Sequence, residues 1–146
     1  MINEALFSSK TGEWRTPKYL FNYLNERWGP YDLDPCTDDD NWLGTPFFYT
    51  KKDDGLKLKW FGRVFVNPPY GREISKWIEK AIEEIPNTEI ITMLLPARTD
   101  TRWFERIFKH ASYLGFIRGR LRFVGAKSSA PFPSMIVNLE RYFPEI

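Results

Sequence analysis

The chain has 146 residues and a formal net charge of +2, the size of one domain. Hydrophobic residues make up 42% and aromatic residues 17%, which excludes a disordered tail and supplies enough apolar surface for a core. One cysteine, Cys36, excludes an intramolecular disulfide and fits a reducing, cytoplasmic setting.

Residues 1–12 read as a flexible lead-in, and Met1 to Lys10 carries no apolar run of signal-peptide length. No stretch reaches the roughly twenty apolar residues of a membrane helix, so a soluble chain without membrane contact is expected. Thr16-Pro17 reads as an N-cap followed by proline at the first helical position. Leu20, Phe21, Leu24 and Trp28 continue at helical spacing until Gly29. Tyr31-Asp32-Leu33-Asp34 is a strand ending at Pro35. Residues 36–62 show no period and are expected to be mostly loop, with a short strand near Phe47-Phe48-Tyr49; a loop this long is usually functional. Arg63-Val64-Phe65-Val66 is a compact strand running into Asn67-Pro68-Pro69-Tyr70. Ile74, Trp77, Ile78, Ala81, Ile82 and Ile85 then mark an amphipathic helix, broken at Pro86-Asn87. Ile90 to Leu95 is a nearly continuous apolar run, the pattern of a strand covered on both faces. A helix is expected from about Thr101 to Lys109. Tyr113–Ile117, Leu121–Val124 and Met135–Leu139 are strands, the first two forming a hairpin that turns at Arg118-Gly119-Arg120. Alternating strands and helices predict a parallel α/β sheet, with an antiparallel end from the late run of strands.

Charge is unevenly distributed. Asp32, Asp34, Asp38, Asp39, Asp40, Asp53 and Asp54 face only Lys51 and Lys52 in their segment. Arg98, Arg102, Arg106, Lys109, Arg118, Arg120, Arg122 and Lys127 face only Asp100 and Glu105. The second segment is either a solvated face or a contact for a polyanion.

Asn67-Pro68-Pro69-Tyr70 carries the sharpest chemical signal. Neither proline has an N–H to donate, so the pair stops the strand and freezes the backbone at its C-terminal end. Ligands of open α/β sheets bind at that edge. A rigid turn there presents the Asn67 side-chain carbonyl, the Pro68 backbone carbonyl and the Tyr70 ring. Two carbonyl acceptors match the two donors of an exocyclic amino group, and an aromatic ring suits the face of a base.

The sequence resembles the phage-type DNA adenine-N6 methyltransferases, a small Dam-like group. The resemblance rests on Glu13-Trp14-Arg15-Thr16-Pro17, Leu33-Asp34-Pro35-Cys36, Asp53-Asp54-Gly55-Leu56, Val64 to Arg72, Leu94 to Thr101, and Phe116 to Leu121 with Ala130 to Ser134. These blocks span about residues 12 to 139. The resemblance implies a minimal α/β, Rossmann-like class I methyltransferase sheet, mostly parallel with an antiparallel C-terminal hairpin. It implies one methyltransferase domain over 13–146, with no separate target-recognition domain, encoded by a phage or prophage. It also implies that S-adenosyl-L-methionine donates a methyl group to the N6 amino group of adenine in DNA, with the base flipped out of the duplex or already single-stranded.

The residues that this resemblance assigns to catalysis are Asn67, Pro68, Pro69 and Tyr70, with Tyr70 stacking on the target base. For the cofactor they are Trp14, Thr16, Pro17, Asp34, Pro35, Cys36, Asp54 and Asn67. The glycines that follow Asp-Pro-Phe in many amino methyltransferases are missing, and Thr37-Asp38-Asp39-Asp40-Asn41 stands instead. Asp34 reads equally as a turn residue before proline and as a partner for the cofactor's amino group. Asp53 and Asp54 read equally as an acidic turn before Gly55 and as acceptors for its ribose or adenine. DNA contact falls to Arg72, Arg98, Arg102, Arg118, Arg120 and Lys127. No metal is assigned, since Asp38-Asp39-Asp40 lacks the ligand spacing of a calcium loop. Cys36 reads as a small buried residue, and His110 as a last-turn cap. Two readings compete with DNA methylation. One is amino methylation of an RNA base or of protein glutamine; the other is a catalytically silent nucleic-acid-binding module.

Overall fold

Nine residues, Thr88–Pro96, form the longest strand and the middle of the sheet in the computed structural model, which describes residues 14–141. In chain order the elements are α1 (Lys18–Trp28), β1 (Leu33–Asp34), β2 (Phe47–Phe48), β3 (Gly62–Val66), α2 (Ile74–Glu84), β4 (Thr88–Pro96), α3 (Arg102–His110), β5 (Tyr113–Phe116) and β6 (Ser134–Glu140), with a 3-10 turn at Ile85–Asn87. The strands lie in the order β2-β1-β3-β4-β6-β5. β2, β1, β3 and β4 run parallel to one another, whereas β6 runs antiparallel to both β4 and β5. The mostly parallel α/β sheet with an antiparallel C-terminal end is the architecture expected from the sequence.

The twofold period of the strands divides the core between two faces. Val64, Val66, Ile91, Met93 and Leu95 pack with Ile74, Trp77, Ile78 and Ala81 of α2 and Ile107 of α3. Phe65 and Leu94 point the other way, onto Leu20, Phe21 and Leu24 of α1 and onto Leu121, Phe123, Ala130 and Phe132. Every residue of β4 except Glu89 is buried, which explains its nearly continuous apolar sequence. The β3–α2 connection is therefore fixed from both sides, and it holds Asn67 to Tyr70 at the C-terminal end of β3.

Two expectations fail here. Thr16 is not the cap of α1. Pro17 takes that position, and its carbonyl accepts from the Leu20 and Phe21 amides. Thr16 is instead buried, with its hydroxyl turned toward Asn67. The cap-like pattern was real, but a tertiary partner took the hydroxyl. Leu121–Val124 is not a strand, and no hairpin turns at Arg118-Gly119-Arg120. β5 pairs with β6, from Tyr113 opposite Asn138 to Phe116 opposite Met135. Leu121 and Phe123 alternate because both side chains pack into the core with Phe65 and Leu94, and period-2 burial does not require a ladder partner. Val124 forms an isolated bridge with Arg15, and the Leu121 carbonyl accepts from the Ala130 amide at 2.8 Å. Residues 1–13, which include the lead-in and Glu13, lie outside the described residues.

The end of α2 holds a buried ion pair. Glu84 accepts from Lys80 Nζ at 2.8 Å, the Trp60 amide at 3.0 Å and Asn87 Nδ2 at 3.2 Å. Burial alone would raise this carboxyl, but those hydrogen bonds outweigh it and hold it below the usual glutamate range. A lowered pKa contributes stability above the unfolded value, and that stability is lost as pH falls through the folded value. Glu84→Gln is expected to cost about 1–2 kcal/mol near neutral pH. Thermal unfolding of the two proteins should converge as the pH drops below about 4.5.

Candidate active site

A cavity of about 820 Å³ opens at the C-terminal ends of β1 and β3. Trp14 to Thr16 form one wall, Asp34 to Asp38 another, and Asp54 to Lys57 a third. Asn67, Pro68, Pro69 and Trp77 close the remaining side. The edge is where parallel strands deliver loops, so residues far apart in sequence converge there.

Asn67 occupies the junction between β3 and the N-terminal segment. Its Nδ2 donates to the Trp14 carbonyl at 2.8 Å and to Thr16 Oγ1 at 3.1 Å. Its Oδ1 is buried and has no hydrogen-bond partner among the described residues. A buried amide oxygen without a donor is costly and normally finds one. Pro68 is buried beside it, and no donor reaches its carbonyl among the described residues. The turn therefore offers hydrogen-bond acceptors that the described residues do not use.

Asp34 ends β1 and is 3% exposed. It receives the Cys36 amide at 3.1 Å. Burial pushes its carboxyl up to about 7, the Cys36 amide opposes this, and Asp38 adds to it. Asp38 binds Arg15 through Oδ2 at 3.0 Å, while its Oδ1 is buried and unpartnered. Burial of the Cys36 thiol, with Asp34 and Asp38 nearby, pushes its pKa up, so it is a neutral lining group rather than a nucleophile. Asp54 adopts a left-handed conformation (φ 68°) and accepts the Leu56 amide at 3.1 Å. Asp53 caps the turn instead, accepting the Thr50 amide at 2.8 Å, and does not line the cavity.

The segment from Trp14 to Thr16 acts as a strap. The Arg15 carbonyl accepts from the Val124 amide at 3.0 Å, and the Thr16 carbonyl from Trp42 Nε1 at 2.9 Å. The Arg15 guanidinium binds Asp38 and Asp40 and lies 4.9 Å from the Trp42 ring centre. Three residues thus tie together the loop from Asp38 to Trp42, the segment at Val124 and the turn at Asn67.

Trp14, Thr16, Asp34, Pro35, Cys36, Asp54, Asn67, Pro68 and Pro69 all line the cavity. Pro17 does not; it is buried at the start of α1. Tyr70 does not either. Its hydroxyl donates to the Leu94 carbonyl at 3.2 Å, and its ring meets Phe132 and Phe123 edge-on, with centres 5.4 and 6.2 Å away. Burial pushes the phenol's pKa up, so it stays neutral. Arg72, Arg98, Arg102, Arg118, Arg120 and Lys127 are exposed and outside any ion pair among the described residues. Arg98 lies 5.6 Å from the Phe132 ring centre. His110 Nδ1 lies 3.0 Å from the Arg106 carbonyl at the end of α3, away from the cavity.

Sequence reading did not identify Trp42, Asp38, Leu56 or Trp77 as lining residues. Trp77 is indistinguishable from core on the apolar stripe of α2. The signal for Trp42 and Asp38 was the aperiodic loop itself.

The donor set suits a ligand that carries a cation, a flat ring and hydroxyl groups. Asp34, Asp38 and Asp54 offer carboxylate oxygens, and Trp14, Trp42 and Leu56 supply apolar surface. S-adenosylmethionine has this composition, so the residues present fit it.

A family model described as DNA N-6-adenine-methyltransferase (Dam) matches residues 5–140. The chain is 36% identical over 111 residues to the "DNA N-6-adenine-methyltransferase" of Escherichia phage T1, a match covering 74% of this chain and 45% of that protein. It is 38% identical over 65 residues to the "Putative methyltransferase YfdM" of Escherichia coli, covering 40% of this chain and 70% of that protein. The chain thus spans less than half the length of the phage relative. The crystal structure of "a putative RNA methyltransferase" from Pyrococcus horikoshii has the same fold, with a TM-score of 0.52 and 13% identity, covering 83% of this chain and 68% of that one. Among the described residues no helix is long and apolar enough to cross a membrane.

Proposed function

We propose, from the premise that this chain belongs to the DNA N-6-adenine-methyltransferase (Dam) family, that it methylates the N6 amino group of adenine in DNA using S-adenosylmethionine. The observation that carries this reading is the unpartnered, buried Oδ1 of Asn67 on the wall of the cavity.

An adenine amino group has two N–H donors and a lone pair delocalised into the ring. Accepting one N–H at Asn67 Oδ1 and the other at the Pro68 carbonyl draws density onto nitrogen. It also fixes the direction of the lone pair. This is positioning together with electrostatic stabilisation of a developing charge. The bound cofactor supplies a methyl group already activated as a sulfonium. Asn67 is not basic, so the proton leaves to water after transfer. Asp34 and Asp38 balance cationic charge, and Asp54 takes hydroxyl donors. Tyr70, half-buried, braces the turn against Phe123 and Phe132, and base stacking falls to its remaining surface. Arg72, Arg98, Arg102, Arg118, Arg120 and Lys127 are exposed cations outside any ion pair among the described residues, suited to DNA phosphates. The base enters either flipped from a duplex or from a single strand.

The test is transfer of labelled methyl from S-adenosylmethionine to unmethylated duplex and single-stranded DNA, with RNA and protein as competing acceptors. Label in N6-methyladenine supports the reading. Label in RNA or protein alone, with cofactor binding intact, overturns it.

Asp34 gives a pH test. Its raised pKa means that the folded chain holds a proton which the unfolded chain releases near pH 4. The contribution of Asp34 to stability is greatest below that point and falls as pH rises toward about 7. A cation bound beside Asp34 favours the charged form. Affinity for S-adenosylmethionine should therefore rise several-fold as pH climbs through about 7. Calorimetric titration of Asp34→Asn should show weaker binding and a flat pH profile.

A further inference from the structure

We propose that Thr16 is a positioning residue that, with the Trp14 backbone carbonyl, holds the Asn67 amide with its oxygen toward the substrate. The proposal rests on the reading that Asn67 accepts from the substrate's amino group.

A primary amide has nearly the same shape when its oxygen and nitrogen exchange places. A half-turn about its last bond would aim an NH2 at an NH2, donor against donor. Nothing within the Asn-Pro-Pro-Tyr turn prevents that half-turn. The strap does. The Trp14 carbonyl, 2.8 Å from Nδ2, only accepts hydrogen bonds, so an oxygen in that place would meet another oxygen. Thr16 Oγ1, 3.1 Å away, takes the second N–H. Both donors of Asn67 are thereby consumed, and Oδ1 is left buried with no partner among the described residues.

The strap is itself immobilised. Thr16 is 2% exposed, its carbonyl binds Trp42, the Arg15 carbonyl binds Val124, and Arg15 is clamped by Asp38 and Asp40. Thr16 is too deeply placed to serve as an ordinary surface hydroxyl, and it caps no helix.

The same geometry makes position 67 specific for asparagine. An aspartate there would set a carboxylate oxygen against the Trp14 carbonyl. Thr16 has a hydroxyl proton to offer, but the backbone carbonyl has none.

The test compares wild type with Thr16→Val, which keeps the shape and removes the acceptor, and with Thr16→Ser, which restores it. At saturating S-adenosylmethionine and adenine-containing duplex DNA, kcat should fall about tenfold in Thr16→Val and recover in Thr16→Ser. Affinity for S-adenosylhomocysteine should stay within about twofold. A weakened affinity with unchanged kcat would assign Thr16 to the cofactor and overturn the proposal. A second readout needs no activity. In nitrogen-15-labelled protein the Asn67 side-chain amide is identified by its loss in Asn67→Ala. Thr16→Val should shift one of its two protons and speed their exchange with solvent. An unchanged amide signal overturns the proposal even if wild type methylates DNA. If wild type methylates nothing, the proposed activity fails, and the amide signal alone decides the orientation. Should Thr16→Val not fold, Thr16→Ala carries the same comparison.

Discussion

Replacing Asn67 by alanine is expected to lower methyl transfer to DNA by about a thousandfold or more, with the fold preserved. The magnitude is that of removing a preorganised hydrogen-bond partner of a charge-developing group, about 10²–10³ in kcat, compounded here by loss of orientation. Asn67 Oδ1 is a buried acceptor on the cavity wall with no hydrogen-bond partner among the described residues, and alanine removes it entirely. Stability should change little. The variant loses two hydrogen bonds to the strap, each worth about 1 kcal/mol, but no longer buries an unpartnered oxygen. Asn67→Asp should not rescue transfer, because its carboxylate faces the Trp14 carbonyl. Single-turnover transfer at saturating cofactor, with circular dichroism to confirm folding, measures this. Transfer by Asn67→Ala within tenfold of wild type would remove Asn67 from the reaction.

Replacing Gly55 by alanine is expected to cost about 2–3 kcal/mol and to weaken cofactor binding by more than tenfold. A Cβ at this position runs into the Pro35 carbonyl oxygen and lies 3.1 Å from Trp77 Cη2. The obstacle is backbone, not the end of a flexible side chain, so the loop must move. Its movement is resisted because the Gly55 carbonyl accepts Trp60 Nε1 at 2.8 Å and Trp60 is buried in the core. Pro35, Gly55 and Asp54 all line the cavity, so separating the two loops distorts it directly. Thermal unfolding measures the first effect, and calorimetric titration with S-adenosylhomocysteine the second. Wild-type values for both would mean that residues 53–56 do not pack against the end of β1 in solution.

Most of the architecture was legible because it is written locally. The stripe of Ile74, Trp77, Ile78 and Ala81, the continuous run from Ile90 to Leu95 and the strand before Asn67 each report burial through their own periodicity. The Asn-Pro-Pro-Tyr turn was legible for a covalent reason, since two prolines end a strand wherever they stand. The clustering of Trp14, Thr16, Asp34, Asp54 and Asn67 came from the family resemblance, not from the periodicity of the chain, and the cavity brings these residues together.

By itself, the sequence determined the order of strands and helices up to Phe116, the rigid turn at the end of β3 and the family. Only the tertiary structure decided which partners those pieces took. Tyr113–Phe116 chose Ser134–Glu140 over the nearer Leu121–Val124. Thr16 abandoned its helix for an amide 51 residues away. Tyr70 turned its edges to Phe123 and Phe132. A hydrogen-bond acceptor or a strand edge is recorded in the sequence as a capacity, without an address. The address is set by how the apolar faces pack, and that packing brought the Trp14 carbonyl to the Asn67 Nδ2 and left Oδ1 without a partner among the described residues.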